Sequence, residues 1–149
     1  MLHHDGRWSH EGRPITHERL RRAFDGAVRF LPAEAKFVVQ LGRFRGQIEV
    51  EEAAFFVREI DVAAGTLRLS DGSREALEPA SLRLSPRDGA LLCRVKRALA
   101  PEGLLARFGQ GAQAELLQAV EEGPDGPVLR LGGRTSALPD LAGEDAPAR

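Results

Sequence analysis

A single cysteine among 149 residues excludes an internal disulfide, and only two lysines stand against nineteen arginines. No apolar run approaches the ~18 to 20 residues of a membrane span, and the opening MLHHDGRW holds no apolar signal core. The chain is therefore expected in the cytoplasm, without a membrane span. Net charge is −1, and residues 1–62 hold ten basic and ten acidic side chains, so the bulk attraction a nucleic-acid polymer would need is missing. The arginine excess is most simply the codon preference of a GC-rich genome, which discounts any one arginine as a phosphate ligand. Catalytic signatures are missing too: there is no Gly-x-Ser-x-Gly elbow, no phosphate-binding P-loop and no Gly-x-Gly-x-x-Gly after a strand. His3, His4, His10 and His17 lack metal-ligand spacing on a helix and have no cysteine beside them, so neither a metal site nor a cofactor is expected.

What is present is an ordinary globular pattern. Asp5-Gly6 and Glu11-Gly12 signal turns around a short strand carrying Trp8. Thr16 is the expected N-cap of a helix, with Glu18 in its first turn, Ile15 stapled onto Leu20, and Leu20, Ala23 and Phe24 as its apolar stripe. From Lys36 the period changes to two: Phe37, Val39 and Leu41 alternate, then Phe44, Gly46, Ile48 and Val50 against Arg45, Gln47, Glu49 and Glu51. FFVREIDV reads as a third strand that puts Arg58 on an apolar face unless a bulge shifts the register. Either way its guanidinium needs an anionic partner or a route to solvent.

Asp71-Gly72 centres a hairpin in which Arg68 can face Glu75. ALLCRVK is a strand that buries Cys93 beside Leu91 and Val95 as an inert thiol, and LLARF is another. AQAELLQAVEEG reads as a helix closed by Gly123, followed by a last hairpin at Gly132-Gly133 and a disordered tail over 142–149. The expected class is α+β, built from duplicated hairpin, helix and antiparallel-strand units over 1–64 and 65–141. Charge echoes the repeat: residues 13–45 hold eight basic and three acidic side chains and 49–61 five acidic and one basic. Residues 83–97 then hold five basic and one acidic, and 113–126 four acidic and none basic.

Three groups are candidates for a site. Arg43 and Arg45 flank Phe44 in or beside a turn, and their forks suit a phosphate, a nucleotide or an acidic partner; solvated surface arginine is the competing explanation. Glu49 and Glu51 share the polar face of a strand, whereas Glu52 breaks that alternation at the strand's end, where a carboxylate could act as a base. Trp8 is either a core anchor or a stacking platform.

Two blocks carry a resemblance. Asp5-Gly6-x-Trp8-x-x-Glu11-Gly12-x-Pro14-Ile15, with a short helix ending in Phe24, and Ile48-x-Val50-Glu51-Glu52-Ala53-Ala54-Phe55 are similar to the uncharacterised bacterial family known as domain of unknown function 1285. Gly103-Leu104, Ala106, Glu115-Leu116 and the Gly132-Gly133 hairpin extend the likeness. Apolar and glycine positions are kept; the departures are polar. Leu41-Gly42-Arg43-Phe44-Arg45 replaces threonine, proline, valine, glutamate and lysine, Glu52 an aspartate, Ala54 a proline, Leu105 a glutamate and Gln110 an arginine. The resemblance implies a duplicated core whose C-terminal half is loosely pleckstrin-homology-like, with a ligand site between the halves and Glu11 ordering the junction. It also implies a link to signalling and nucleotide-like ligands, with no assigned reaction.

The functional expectation is a non-enzymatic cytoplasmic binding module. It recognises a small anionic, nucleotide-like ligand or a protein partner between its halves, with Arg43, Arg45, Glu51, Glu52, Trp8 and Glu11 as ligand-binding residues. The alternative from another class is a hydrolase-type enzyme using Glu51 or Glu52 as general base on a nucleotide-like substrate. A homodimer through an edge strand is also open.

Overall fold

The computed structural model describes residues 1–141, and the expected tail over 142–149 lies outside the described residues. β1 (Trp8–His10) and β2 (Arg13–Ile15) form a hairpin. After α1 (Glu18–Ala27), β3 (Val28–Leu31), β4 (Lys36–Leu41) and β5 (Phe44–Gln47) make an antiparallel meander. β6 (Phe55–Asp61), β7 (Thr66–Leu69) and β8 (Arg74–Ala76) lead through a 3-10 turn at Pro79–Ser81 to β9 (Arg83–Leu84), β10 (Leu91–Val95) and β11 (Leu104–Phe108). α2 (Gln110–Leu117) and a second meander of β12 (Val120–Gly123), β13 (Gly126–Leu131) and β14 (Arg134–Ala137) follow. The chain is therefore α+β, mostly sheet with two helices among the described residues, and each helix precedes a three-stranded meander.

The central sheet runs β8-β7-β6-β11-β10-β9. Its middle pair, β6 and β11, is parallel, with Phe55 opposite Ala106, Phe56 opposite Arg107 and Val57 opposite Phe108; the other pairs are antiparallel. Residues 63–65 form the turn between β6 and β7, so strands from both sides of that point share one sheet. That turn touches the β13–β14 turn closely enough that a Cβ on Gly65 would lie 3.3 Å from the Gly132 Cα, and both glycines have positive φ. Phe55, Leu67, Leu69, Leu92 and Leu116 are fully buried, and so is Leu2. Leu2 donates its N–H to the Glu49 carbonyl and accepts from the Glu51 N–H, zipping the first residues along Glu49–Glu51. Cys93 is buried, and burial, aided by Glu75 and Glu78, pushes its thiol up to about 12. The thiol stays protonated and inert, as its strand position implied.

Several local expectations shift. The α1 cap is His17, whose Nδ1 accepts the Leu20 N–H at 3.3 Å, because the chain stays extended through Thr16. Leu20 and Ala23 are exposed; Phe24 is half-buried and Ala27 buried, which narrows the expected stripe. α2 stops at Leu117 and not near Gly123, because Val120–Gly123 is captured as β12 by pairing with β13. A Cβ on Gly123 would meet the Gly126 carbonyl and Val128 at 2.9 Å, so the glycine serves a tight hairpin and not a helix end. Phe44 is 61% exposed beside the β4–β5 turn, off the expected apolar face. Arg68 lies opposite Arg74, not Glu75, and its Nε donates instead to Glu59 at 3.0 Å. The alternative raised for Arg58 holds: the register shifts between Val57 and Glu59 and turns Arg58 outward.

Burial sets the expected mutational costs. Phe55→Ala is expected to lose about 3–5 kcal/mol in urea unfolding, while Phe44→Ala stays within about 0.5 kcal/mol of wild type.

Candidate functional site

A cleft of about 930 Å³ opens between α1, the β6–β7 pair and the start of α2. Arg21 and Arg22 reach it from α1, Arg58 from β6, Arg68 from β7 and Arg107 from β11, against the carboxylates of Asp5, Glu18 and Asp25. Local structure explains each placement. The bulge frees Arg58 from the apolar face, its Nη2 donates to Asp25 Oδ2 at 2.8 Å, and its guanidinium stands 5.5 Å from the Phe56 ring centroid. Arg58 thus has both an anionic partner and a route to solvent. The other Asp25 oxygen accepts the Trp8 indole N–H at 2.8 Å, and Trp8 itself is buried edge-on to Phe24. Arg22 pairs with Glu18 one helical turn back at 2.9 Å. Arg21 differs from these, since its Nε is buried and finds no acceptor. Gly109, the N-cap of α2, offers no capping side chain, no acid occupies that helix's first turn, and Gly109 and Gln110 line the same cleft.

Behind Arg107 lies a second polar group. Arg107 forks onto Asp88 at 2.7 and 3.2 Å and stands 3.9 Å from Glu52 Oε1. That guanidinium holds the Asp88 carboxyl below its ordinary range. The Glu52 side chain is 7% exposed; Oε2 accepts the Ser85 hydroxyl at 2.7 Å, and Oε1 is buried without a hydrogen-bond partner. Arg87 bridges Glu51 at 3.6 Å and Glu52 at 3.9 Å. Glu51 Oε1 accepts the His4 backbone N–H at 2.8 Å and meets His4 Nδ1 at 2.6 Å. The backbone bond first, then the ring, draws the Glu51 carboxyl down to about 2. His4 Nε2 in turn lies 3.8 Å from Asp88.

The residues singled out from sequence are distributed unevenly. Glu51 and Glu52 come together in this cluster, and Trp8 sits beneath the cleft holding Asp25. Glu11 lies in the β1–β2 turn at φ +51°, 82% exposed and 3.7 Å from His10. Arg43 and Arg45 project, exposed, from the β4–β5 hairpin outside the cleft lining, and the partners of Glu52 are Ser85, Arg87 and Arg107 instead. Sequence reasoning passed over Arg21, Arg22, Arg68 and Arg107 because a high arginine content hides the few that converge. It also passed over His4 and Asp88, whose meeting depends on the Leu2 zipper. Arg58, stranded among apolar neighbours, was the one available signal. Among the described residues no group of three or more His, Cys, Asp or Glu side chains is arranged to hold a metal ion, and no helix is long and apolar enough to cross a membrane.

Fold and site together define an α+β protein with an arginine-lined cleft beside a carboxylate cluster in which Glu52 is buried. No family model matches the sequence, nor does any curated protein. Two solved structures share the fold. A DUF1285 family protein from Silicibacter pomeroyi DSS-3 superposes with a TM-score of 0.61 at 20% identity, over 92% of this chain and 77% of its own. A DUF1285 family protein from Shewanella baltica OS155 does so with a TM-score of 0.50 at 11% identity, over 78% of this chain and 88% of its own.

The His4–Glu51 contact has a pH signature. Because folding lowers the Glu51 carboxyl from 4.5 to about 2, its contribution to stability is complete above pH 4.5 and lost as pH falls towards 2. Urea unfolding at pH 6 and pH 3 should show a larger acid loss for wild type than for Glu51→Gln. Equal losses would remove this contact from the acid response.

Proposed function

We propose that this protein is a divergent member of the DUF1285 family and a non-enzymatic module that binds a small phosphate-bearing, nucleotide-like anion in the arginine-lined cleft. The two sequence blocks and the shared fold support the family assignment. One observation carries the ligand reading: five arginines converge on one concavity, and Arg21 among them has a buried Nε with no acceptor. A buried donor left unsatisfied costs about 1–3 kcal/mol, which an anionic oxygen entering the cleft relieves. Arg58 and Arg22 are already oriented by carboxylates, so less side-chain freedom is lost when an anion arrives. A concave site of this size suits a small molecule better than an acidic protein segment.

The repeated order of helix and meander supports an origin of the units 1–64 and 65–141 by duplication, while the pleckstrin-homology likeness of the second unit rests on the family resemblance alone. One observation favours the hydrolase reading, the unpartnered Glu52 Oε1. Glu52 does not line the cleft, however, and Arg107 is the residue that reaches both. Binding is therefore the preferred reading.

The test is a thermal-shift and calorimetric screen with pyrophosphate, ADP and inorganic phosphate. A ligand at 100 times its dissociation constant adds about 2.7 kcal/mol. Arg21→Ala is expected to weaken a hit about tenfold or more, while Arg43→Ala with Arg45→Ala leaves it unchanged. Loss of affinity in the hairpin double variant alone would move the ligand to Arg43 and Arg45. ADP hydrolysed by wild type and untouched by Glu52→Gln would replace the binding reading with the hydrolase one.

A further inference from the structure

Arg107 belongs to two structures at once. It is among the residues that line the cleft, and its guanidinium fork closes onto Asp88, which lies in the turn from Ser85 to Ala90. That turn folds on itself through Ser85 N–H to the Ala90 carbonyl at 2.7 Å and Gly89 N–H to the Ser85 carbonyl at 2.8 Å. Asp88 ties it to β11, and Arg87 ties it to the Glu51 carbonyl at 3.3 Å. On its far side Asp88 meets His4, which Glu51 holds.

We infer that an anion in the cleft competes with Asp88 for the Arg107 fork, so that occupancy is relayed to the Ser85–Ala90 turn and to the amino-terminal segment around His4. The inference rests on the cleft reading above and names the regulation of that site. Of the five N–H donors of the guanidinium, Asp88 takes the edge formed by Nη1 and Nη2, so an oxygen pair of the ligand that docks on this edge must displace it. Glu52 Oε1, at 3.9 Å from Arg107, is beyond hydrogen-bond reach and cannot keep the fork in place. Once the fork turns to the ligand, Asp88 keeps the Ala90 amide on Oδ1 at 3.1 Å and faces the His4 ring at 3.8 Å. The turn, which joins β9 to β10, loses its tie to β11 while retaining those to Glu51 and Glu52. By linkage, whatever weakens the Asp88 clamp strengthens ligand binding by the same factor.

The decisive experiment titrates sodium pyrophosphate, the probe, into wild type, Asp88→Asn and Arg21→Ala by calorimetry, and follows backbone hydrogen exchange in wild type with and without the probe. Asp88→Asn keeps an oxygen for the Ala90 amide and removes the competing charge, so it should bind about fivefold tighter or more. In the unmutated chain, saturation should speed exchange at residues 86–90 and 3–7 and leave β7–β8 unchanged. Wild-type affinity in Asp88→Asn with unaltered exchange, alongside lost binding in Arg21→Ala, would overturn the relay and leave the cleft standing. Failure of pyrophosphate to bind either wild type or Asp88→Asn would overturn the cleft reading and the relay with it.

Discussion

The parallel register of β6 against β11 is the constraint on which the cleft depends. It sets Phe56 opposite Arg107 and Val57 opposite Phe108. Gly109 N–H then donates to the Val57 carbonyl at 3.1 Å, which fixes the start of α2 to β6. The bulge that releases Arg58 begins at the next residue. Phe56, Arg58, Arg107, Phe108 and Gly109 all line the cleft and all lie at this seam. Because side chains alternate across a strand, a slip of one residue between β6 and β11 would send Arg107 to the other face and leave Asp88 and Glu52 without it.

Ion pairs in the molecule divide by burial. Lys96 and Asp71 meet at 2.7 Å with side chains 14% and 9% exposed, and Lys96 also stands 4.9 Å from the Phe55 ring centroid. Burial works to raise the Asp71 carboxyl, but the bonds from Lys96 and Ser73 outweigh it and hold the group below its usual range. Removing one partner of such a pair strands a charge, so this pair pins the β7–β8 hairpin to the end of β10. Among the cleft pairs, Arg22 with Glu18 is another kind. It is mostly solvated, and exposed pairs contribute only about 0–1 kcal/mol. That pair orients its arginine at low cost, whereas Arg58 with Asp25 and Arg107 with Asp88, each with one partner 15% or 16% exposed, lie between the two kinds.

What the sequence made legible was local. Turn dipeptides located the β7–β8 and β13–β14 hairpins and the turn after β1, alternation located β4, β6 and β10, and an arginine on an apolar face raised the bulge that the structure contains. What it hid was whatever another segment decides. VEEG is as compatible with a helix as with a strand until β13 pairs with it. Arg68 missed Glu75 by one register position, which no pattern within the hairpin encodes. Leu2 is an unremarkable residue in sequence, yet its burial against Trp8 and Val50 brings His4 to Glu51. The site suffered most, since its arginines come from four separate elements and each looks like surface when read alone.

The polar departures from the resembled family bear on this site and not on the frame. Gln110, standing where that family carries arginine, lines the cleft at the start of α2. Glu52, standing for aspartate, is one methylene longer and reaches the Ser85 hydroxyl with one oxygen, which leaves the other facing Arg107 at 3.9 Å. Meanwhile Arg21 and Arg22 bring positive charge to the same cavity from α1. The cleft thus carries its cations on α1, β6, β7 and β11, while the start of α2 contributes the uncharged Gln110. A frame held by burial tolerates such exchange, because the free energy of the core does not depend on which wall carries the charge. The polar surface is set separately from that frame, so the uncharged Gln110 alters the charge at one wall of the cleft without touching the β6–β11 seam.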